Sequence, residues 1–276
     1  MTGNKRQESI PVHHLTSSSF LVFTIENTND ETFNGLHRHD FFELIWFTKS
    51  DTNESVEIDF TPHRFNDNEI CLLTPGQVFQ MEKSKQQGFV LAFAKDLFHE
   101  LTGNRSFFTD VGRPISLGQD SLNAIQSLLP LIINEYNGQK RIALLKSYLQ
   151  AFLFHVLTTV DALHEAGDSR LNKLFQLIDT HFLQQRETAF YAGHLNTSAK
   201  YLNSILKRER SVTIKELVSQ RLVLEAKREI YFGELTLKEI AFKLGFSDPA
   251  YFSRFFKVQT GKSAEHFKAS IQRLHL

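Results

Sequence analysis

The chain has 276 residues, of which 41% are hydrophobic, and it carries 31 basic side chains, 31 acidic ones and a single cysteine. This length predicts about two domains, each able to bury its own core. Because Cys71 is the single cysteine, the chain cannot form an intrachain disulfide, and it is suited to a reducing compartment. The N-terminus lacks the apolar segment of a signal peptide, and no long uncharged apolar run indicates a membrane span. We therefore expect a cytoplasmic protein that does not enter a membrane.

The zero net charge hides an asymmetry between the two halves of the chain. Residues 170–276 contain 18 basic and 10 acidic side chains, whereas residues 1–169 contain 13 basic and 21 acidic ones. A basic half joined to an acidic half is typical of a DNA-binding module attached to a part that does not bind DNA.

The N-terminal half is predicted to be rich in β-strands. Residues 1–19 are polar and are expected to form a flexible arm or a first strand. Over residues 20–118, segments rich in turn-forming residues separate short apolar runs, which are FLVFTI (20–25), FFELIWF (41–47), SVEIDF (55–60), EICLLT (69–74) and GFVLAF (88–93). This spacing favours a small β-sandwich or barrel.

His37, His39 and Glu43 are candidate metal ligands, because H-x-H with a carboxylate four residues later is a ligand spacing of cupin barrels. On a regular strand the three share one face with Ile45, the expected interior. Metal-binding cupins have a companion histidine where this chain has Phe79, and a site that loses a ligand to a phenyl ring is a poor one. We therefore predict no metal and no other cofactor. A cupin enzyme with a DNA-binding appendage, using these side chains on a metal, is the alternative.

A closed barrel lined with aromatic and ionisable side chains could hold one small molecule. The candidate effector-binding residues are His37, His39, Glu43 and Trp46. A packed barrel without any ligand is the alternative.

From Gln119 the apolar period becomes helical, and a turn at Asn137–Gly138 separates two amphipathic segments. This pattern predicts two antiparallel helices over residues 119–165. Their apolar stripes are wider than packing on the barrel requires, which predicts a homodimer through this region. The alternative is that the helices simply cover an open face of the barrel. The polar residues 166–169 are the predicted linker.

The C-terminal domain, predicted over residues 170–276, has its clearest signals from Thr236 onwards. Thr236 and Glu239 have the spacing of a capping box, Gly245 ends that helix, and Ser247 or Asp248 can cap the next. The second helix is expected to bury an aromatic face and to expose a polar, basic one. The buried set is Tyr251, Phe252, Phe255 and Phe256, and the exposed set is Ser253, Arg254 and Lys257. This is a helix-turn-helix, whose second helix fits a DNA major groove.

The same unit occurs 50 residues earlier as an internal repeat. Shifted by 50 residues, the segment with Tyr201, Leu202, Ile205, Leu206 and Lys207 falls on the segment with Tyr251, Phe252, Phe255, Phe256 and Lys257. Tyr201, Leu202, Ile205 and Leu206 are also expected to face inward. Thr213 and Glu216 form another capping box, and a long helix to Phe232 connects the two units. One chain could then reach two major-groove segments about 34 Å apart.

The pattern IA-x-x-x-GFSD-x-x-YFSR-x-FK-x-x-x-G-x-S, from Ile240 to Ser263, resembles the signature of the AraC/XylS family of transcription regulators. Residues 36–80, with H-x-H-x-F-x-E-L and TPGQV, resemble the cupin-like domains attached to such regulators. The resemblance implies a two-domain α+β protein with a cupin-like barrel, a helical hairpin and an all-α double helix-turn-helix domain. It also implies double-stranded DNA as partner, a small effector, dimerisation, a contact with RNA polymerase and no enzymatic activity. Whether the protein is an activator or a repressor stays open. A constitutive DNA-binding dimer without an effector is the alternative.

The candidate DNA-binding residues lie on the two second helices. Arg254 is suited to guanine and Asn203 to adenine, whereas Lys207 and Lys257 are suited to phosphate. Ser204 stands at the position equivalent to Arg254, which weakens the case for guanine recognition by the first unit. The full set is Ser198, Lys200, Asn203, Ser204, Lys207, Ser247, Ala250, Ser253, Arg254 and Lys257.

Overall fold

A computed structural model describes residues 12–13, 15, 19–27, 35–51, 53–82, 86–103, 112–165 and 169–273. The chain divides into two compact units, Pro11–Ala166 and Gly167–Leu276. Most of the predicted arm, and all of the predicted linker except Ser169, lie outside the described residues.

The N-terminal unit contains two five-stranded sheets. Sheet A has the order β1-β3-β8-β5-β6 and sheet B the order β10-β7-β4-β9-β2. The strands are β1 Val12–His13, β2 Phe20–Thr24, β3 His37–His39, β4 Phe42–Ser50, β5 Val56–Ile58, β6 Thr61–His63, β7 Glu69–Leu73, β8 Val78–Gln80, β9 Gln86–Phe93 and β10 Ile115–Ser116. Among the described residues no hydrogen-bonded ladder joins the sheets, so the expected barrel takes the form of two sheets packed face to face.

Sheet B is apolar on both faces because it lies between sheet A and a layer of helices. Along β4, Ile45 and Phe47 enter a buried cluster with Phe79 and Ile58 of sheet A. The alternate residues point the other way, into a second cluster shared with the helices. Since side chains alternate along a strand, the two faces of β4 belong to different environments.

Three helices cover the outer face of sheet B, namely α1 Lys95–Thr102, α2 Gln119–Asn137 and α3 Ile142–Glu165. The last two form the helical hairpin, in which Arg141 donates a 2.7 Å hydrogen bond to Glu135 across the connection. Most of the apolar stripe residues pack into this layer, but Leu131, Ile142 and Phe154 are exposed.

The segment Ile142–Thr159 of α3 is long and apolar enough to cross a membrane by length and composition, which the sequence analysis did not anticipate. Leu149, Phe152, Leu153 and Val156 of this segment are buried in the core shared with sheet B. Core helices of globular domains have the same composition, so the segment is weak evidence for a membrane span.

The C-terminal unit is helical throughout its described residues. Its helices are α4 Ser169–His181, α5 Thr188–His194, α6 Ala199–Arg210, α7 Ile214–Phe232, α8 Leu237–Lys243, α9 Pro249–Thr260 and α10 Ala264–Arg273. Both predicted capping boxes are confirmed, with Thr213 and Glu216 opening α7, and Thr236 and Glu239 opening α8. In each box the side chains and backbone N–H groups of the two residues bond reciprocally.

The prediction that Tyr201 and Tyr251 face inward is wrong. They are 40% and 55% exposed, whereas Leu202 and Phe252 beside them are fully buried. Both tyrosines lie in the first turns of their helices, where the ring can pack against the helix while the hydroxyl stays at the surface.

Candidate functional site

Helices α8 and α9 meet at a turn that leaves no room for a side chain. Gly245 has φ +77°, and a Cβ on it would lie 2.7 Å from the Leu183 carbonyl oxygen. Arg186 donates a 2.7 Å hydrogen bond to the Leu244 carbonyl, and its guanidinium stacks 4.0 Å from the centre of the Phe246 ring. Burial lowers the pKa of Arg186. The segment before α5 therefore fixes the angle between α8 and α9.

Asp248 is the N-cap of α9, since its Oδ1 accepts a 2.8 Å hydrogen bond from the Ala250 N–H. Ser247 and Ala250 are exposed beside it. Of the two caps proposed from the sequence, Asp248 is the one used, which leaves the Ser247 hydroxyl available to an external partner.

The outward face of α9 is polar and basic. The side chain of Arg254 is 69% exposed and approaches Asp248 at 3.8 Å, and Lys257 is exposed one turn later. Ser253 is half-buried, and its hydroxyl donates to the Pro249 carbonyl. Val258, which the sequence analysis omitted, is highly exposed on the same helix. The long cation of Arg254 thus lies on the accessible face of α9.

Helix α6 begins at Ser198, whose Oγ accepts from the Tyr201 N–H. Lys200, Ser204 and Lys207 are exposed, and the Ser204 hydroxyl donates to the Tyr201 carbonyl within the helix. Its outward face therefore presents basic side chains and short hydroxyls, with Ser204 at the position that Arg254 holds in the second unit.

Asn203 has a structural contact that the sequence analysis missed. Its Oδ1 accepts a 2.9 Å hydrogen bond from the Ile214 N–H at the start of α7. Bidentate pairing with adenine uses both the oxygen and the nitrogen of an asparagine amide. The bond to Ile214 uses one of the two lone pairs of this oxygen and fixes the amide against α7, which argues against the role predicted for Asn203.

Arg170 and Tyr201 form a second contact that no local sequence pattern predicts. The guanidinium stacks 4.7 Å from the centre of the Tyr201 ring and donates a 2.7 Å hydrogen bond to its hydroxyl. The contact joins α4 to α6 and holds an aromatic side chain at the edge of the basic face.

In the N-terminal unit, His13 of β1 and His37 and His39 of β3 lie together. Their ligand atoms are all within 4.8 Å of one another. The ring centre of His13 is 4.9 Å from that of His37 and 5.4 Å from that of His39. His37 and His39 are predicted from the sequence but His13 is not, because nothing local connects residue 13 to β3.

Glu43 supports this cluster from β4. Its carboxylate lies 2.5 Å from Nδ1 of His39, with both side chains almost fully buried. Burial opposes ionisation of Glu43, but the neighbouring imidazoles, His39 first, outweigh it and lower its pKa. Burial, and then the nearby His39, lower the pKa of His37 to about 4, so this ring is neutral at pH 7.

Trp46 does not belong with these three residues, although the sequence analysis grouped all four. It lies on the opposite face of sheet B, where it borders a cavity of about 440 Å³. The indole Nε1 is buried and has no hydrogen-bond partner among the described residues. The cavity is lined by Trp46, Thr48, Asn68 and Phe89 from the sheet side and by Gln126, Leu129, Pro130, Ile133 and Asn134 from α2.

A family model described as a helix-turn-helix domain matches residues 191–270. The chain is 23% identical over 215 residues to the arabinose operon regulatory protein of Escherichia coli (strain K12), covering 74% of this chain and 73% of that protein. It is 26% identical over 190 residues to the Msm operon regulatory protein of Streptococcus mutans, covering 67% and 66%. A solved structure of ToxT from Vibrio cholerae aligns over 91% of this chain and 98% of its own at 15% identity, with a TM-score of 0.43. The helix-turn-helix match and the two operon regulatory proteins show a DNA-binding transcription regulator that is similar to those of the AraC family.

Proposed function

We propose that the protein reads one asymmetric DNA site with α6 and α9 and that a small effector bound to the N-terminal unit controls it. The observation that carries the DNA-reading part is the pair of exposed polar faces, repeated at a 50-residue interval on either side of α7. A domain built only for packing has no need of two such faces. We assign no catalytic role and a cytoplasmic location.

In the proposed complex, α9 supplies the base recognition. Arg254 is long and exposed enough to donate two hydrogen bonds to one guanine. Ser247, Ala250 and Ser253 complete the contact surface, while Lys257 contacts phosphate and so contributes affinity without sequence preference.

Helix α6 plays the weaker part in recognition. Lys200 is its candidate for base contact, and Ser198, Ser204 and Lys207 are candidates for phosphate or backbone contacts. Asn203 acts mainly inside the domain. The first unit therefore positions the protein more than it selects sequence.

Selection of bound sequences from a random DNA pool tests this assignment. The expected motif has a guanine specified by Arg254 in a strongly preferred segment, and a less constrained segment about one helical turn away. Equal constraint in both segments would contradict the division of roles between α6 and α9.

The proposed effector site is the cavity beside Trp46. Its aromatic and aliphatic lining suits an apolar body, and the Trp46 N–H together with the amides of Asn68, Gln126 and Asn134 can orient one polar group. Such a ligand regulates DNA binding only if its affinity differs between two arrangements of the protein.

Trp46 is the only tryptophan in the chain and therefore reports directly on this cavity. We expect anilinonaphthalene sulfonate to bind there and to accept energy from Trp46. Ile133→Phe, which narrows the cavity, should weaken that signal, whereas Leu122→Phe on the same helix should not. Equal signals from both variants would place the dye elsewhere.

We also propose a homodimer through the hairpin α2–α3. Most of the predicted apolar stripe is used in covering sheet B, so the case now depends on the side chains left outside, of which Leu131 and Phe154 are 44% and 60% exposed. Phe154→Lys should shift sedimentation equilibrium towards monomer with little change in thermal stability. An unchanged mass distribution would mean that the hairpin only covers sheet B.

A contact with RNA polymerase remains a prediction, which a promoter-reporter assay tests.

A further inference from the structure

The histidine cluster of the N-terminal unit joins two segments that are far apart in sequence. The ring centres of His37 and His39 lie 4.9 Å apart, and His13 stacks on His37 from the neighbouring strand β1. With all three ligand atoms within 4.8 Å of one another, small side-chain rotations bring them to the mutual distances of about 3.3 Å that bonds of about 2.0–2.1 Å to a common ion require.

Two of the rings are already oriented as metal-bound imidazoles usually are. Nδ1 of His37 donates a 2.7 Å hydrogen bond to the Gly35 carbonyl. Nδ1 of His39 lies against the Glu43 carboxylate. A carbonyl or carboxylate on one ring nitrogen fixes the tautomer and directs the other nitrogen, Nε2, towards a metal. Glu43 is thus an orienting group rather than a ligand.

We propose that His13, His37 and His39 bind one divalent first-row transition metal ion. Phe79 does lie opposite His37 in the ladder between β3 and β8, with the ring centres 5.6 Å apart, so the position expected for a companion histidine is filled by a phenyl group. The third imidazole comes instead from β1. The proposed ligands His13, His37 and His39 therefore differ from the set suggested by the sequence, which was His37, His39 and Glu43.

The chemistry of the donors narrows the class of ion. Imidazole nitrogens suit zinc, cobalt, nickel, copper and iron, whereas magnesium and calcium require oxygen ligands. Three protein ligands leave a further position for water or another small ligand. Neutral imidazole is the form that binds such an ion.

A bound ion would attach the N-terminal strand to the sheet. Within the described part of the chain, strand β1 pairs with β3 at two positions, Val12 with Arg38 and His13 with His39. A ligand that binds only the folded arrangement raises its stability by mass action. We therefore expect the ion to protect β1 from proteolysis and to raise the melting temperature of the full chain.

The test uses the untagged full-length protein, stripped with a chelator and equilibrated separately with Zn²⁺ and Co²⁺. We expect one zinc per chain by elemental analysis, a visible absorption spectrum of cobalt bound to nitrogen ligands, and a higher melting temperature. His13→Gln should abolish the cobalt spectrum. This residue is half-buried on a short strand, so the variant is expected to fold.

Controls separate this site from adventitious binding. His63→Gln, in the same sheet, and His194→Gln, on exposed α5 near His181, should leave stoichiometry and spectrum unchanged. Glu43→Gln should retain the ion but weaken its affinity about 10- to 100-fold, as expected for an orienting group. Equal metal content in wild type and His13→Gln, or loss of the metal in His194→Gln only, would overturn the proposal.

Discussion

Ser211 and Gly261 hold equivalent positions at the ends of α6 and α9, and both have left-handed backbone conformations, with φ of 57° and 75°. A residue with a Cβ pays a conformational penalty there that glycine avoids. The Cβ that a substitution would add to Gly261 meets no atom within 4 Å, so contacts do not complicate the comparison. The two sites form a matched pair for measuring this penalty.

Ser211→Gly should therefore raise the free energy of unfolding by about 0.5–1 kcal/mol, and Gly261→Ser should lower it by a similar amount. Urea denaturation with an unchanged m-value measures both. If Ser211→Gly destabilised the protein, the Ser211 hydroxyl would have to make a contact that outweighs the backbone penalty.

Arg254 and Lys257 are expected to differ in the kind of binding energy they provide. Arg254→Ala should cost about 1–3 kcal/mol at the preferred site and relax base preference at one position. Lys257→Ala should weaken binding to all sequences alike and reduce the salt slope by about one. Competition binding at several salt concentrations separates the two. A uniform loss in Arg254→Ala would make it a phosphate contact.

At the scale of elements, Asn203 links α6 to α7 by capping the Ile214 N–H. Removing the acceptor leaves a half-buried donor unpaired, so Asn203→Ala should lower the free energy of unfolding by about 1–2 kcal/mol. Asn203→Asp keeps the acceptor and adds negative charge on the DNA side, so it should preserve stability and weaken DNA binding. If Asn203→Ala instead kept the stability of the protein and lost its base preference, Asn203 would be a direct base contact as first predicted.

The capping boxes of α7 and α8 should make this unit sensitive to acid. Hydrogen bonds from Thr213 and Thr236 lower the pKa values of Glu216 and Glu239. A carboxylate with a lowered folded pKa contributes stability that is present above its unfolded pKa of about 4.3 and is lost as the pH falls through the folded value.

Glutamine keeps a hydrogen bond in the box but does not titrate. The difference in unfolding free energy between wild type and Glu216→Gln/Glu239→Gln should therefore shrink from pH 7 to pH 3. Denaturation series at these pH values measure it. A constant difference would mean that the two carboxylates do not contribute through their charge.

At the scale of the whole molecule, the opposite charges of the two units should matter for DNA affinity. The acidic half repels phosphate while the basic half attracts it. At 50 mM salt, a fragment of residues 167–276 should bind non-specific DNA more tightly than the full chain. The difference should fall as the Debye length shortens towards 8 Å near 150 mM. Equal affinities at low salt, measured by fluorescence anisotropy, would contradict this.

The N-terminal unit shows how one sequence pattern can serve two environments. Glu43 and Trp46 are three residues apart on β4 and therefore lie on opposite faces of sheet B. Because side chains alternate between the two faces of a strand, the sequence already indicates that Trp46 points away from Glu43. The prediction that grouped Trp46 with the histidines was therefore an avoidable error. What the alternation could not supply was the helical layer that turns Trp46 into the wall of a cavity.

The sequence alone determined the features that depend on neighbours along the chain. The capping boxes at Thr213 and Thr236, the glycine turn at Gly245 and the 50-residue repeat all arise from local hydrogen bonds and helical periodicity, and these predicted the double helix-turn-helix. The strand-rich N-terminal unit and the hairpin at 119–165 followed from apolar periodicity in the same way.

Only the tertiary structure decided which distant residues meet. Arg186 reaches the Leu244 carbonyl, Asn203 reaches the Ile214 N–H, and His13 joins His37 and His39. Each of these contacts depends on how strands or helices pack, and packing is set by the burial of whole faces rather than by residue spacing. The exposed polar faces of α6 and α9 could therefore be predicted from sequence, whereas the inward contact of Asn203 and the third histidine could not.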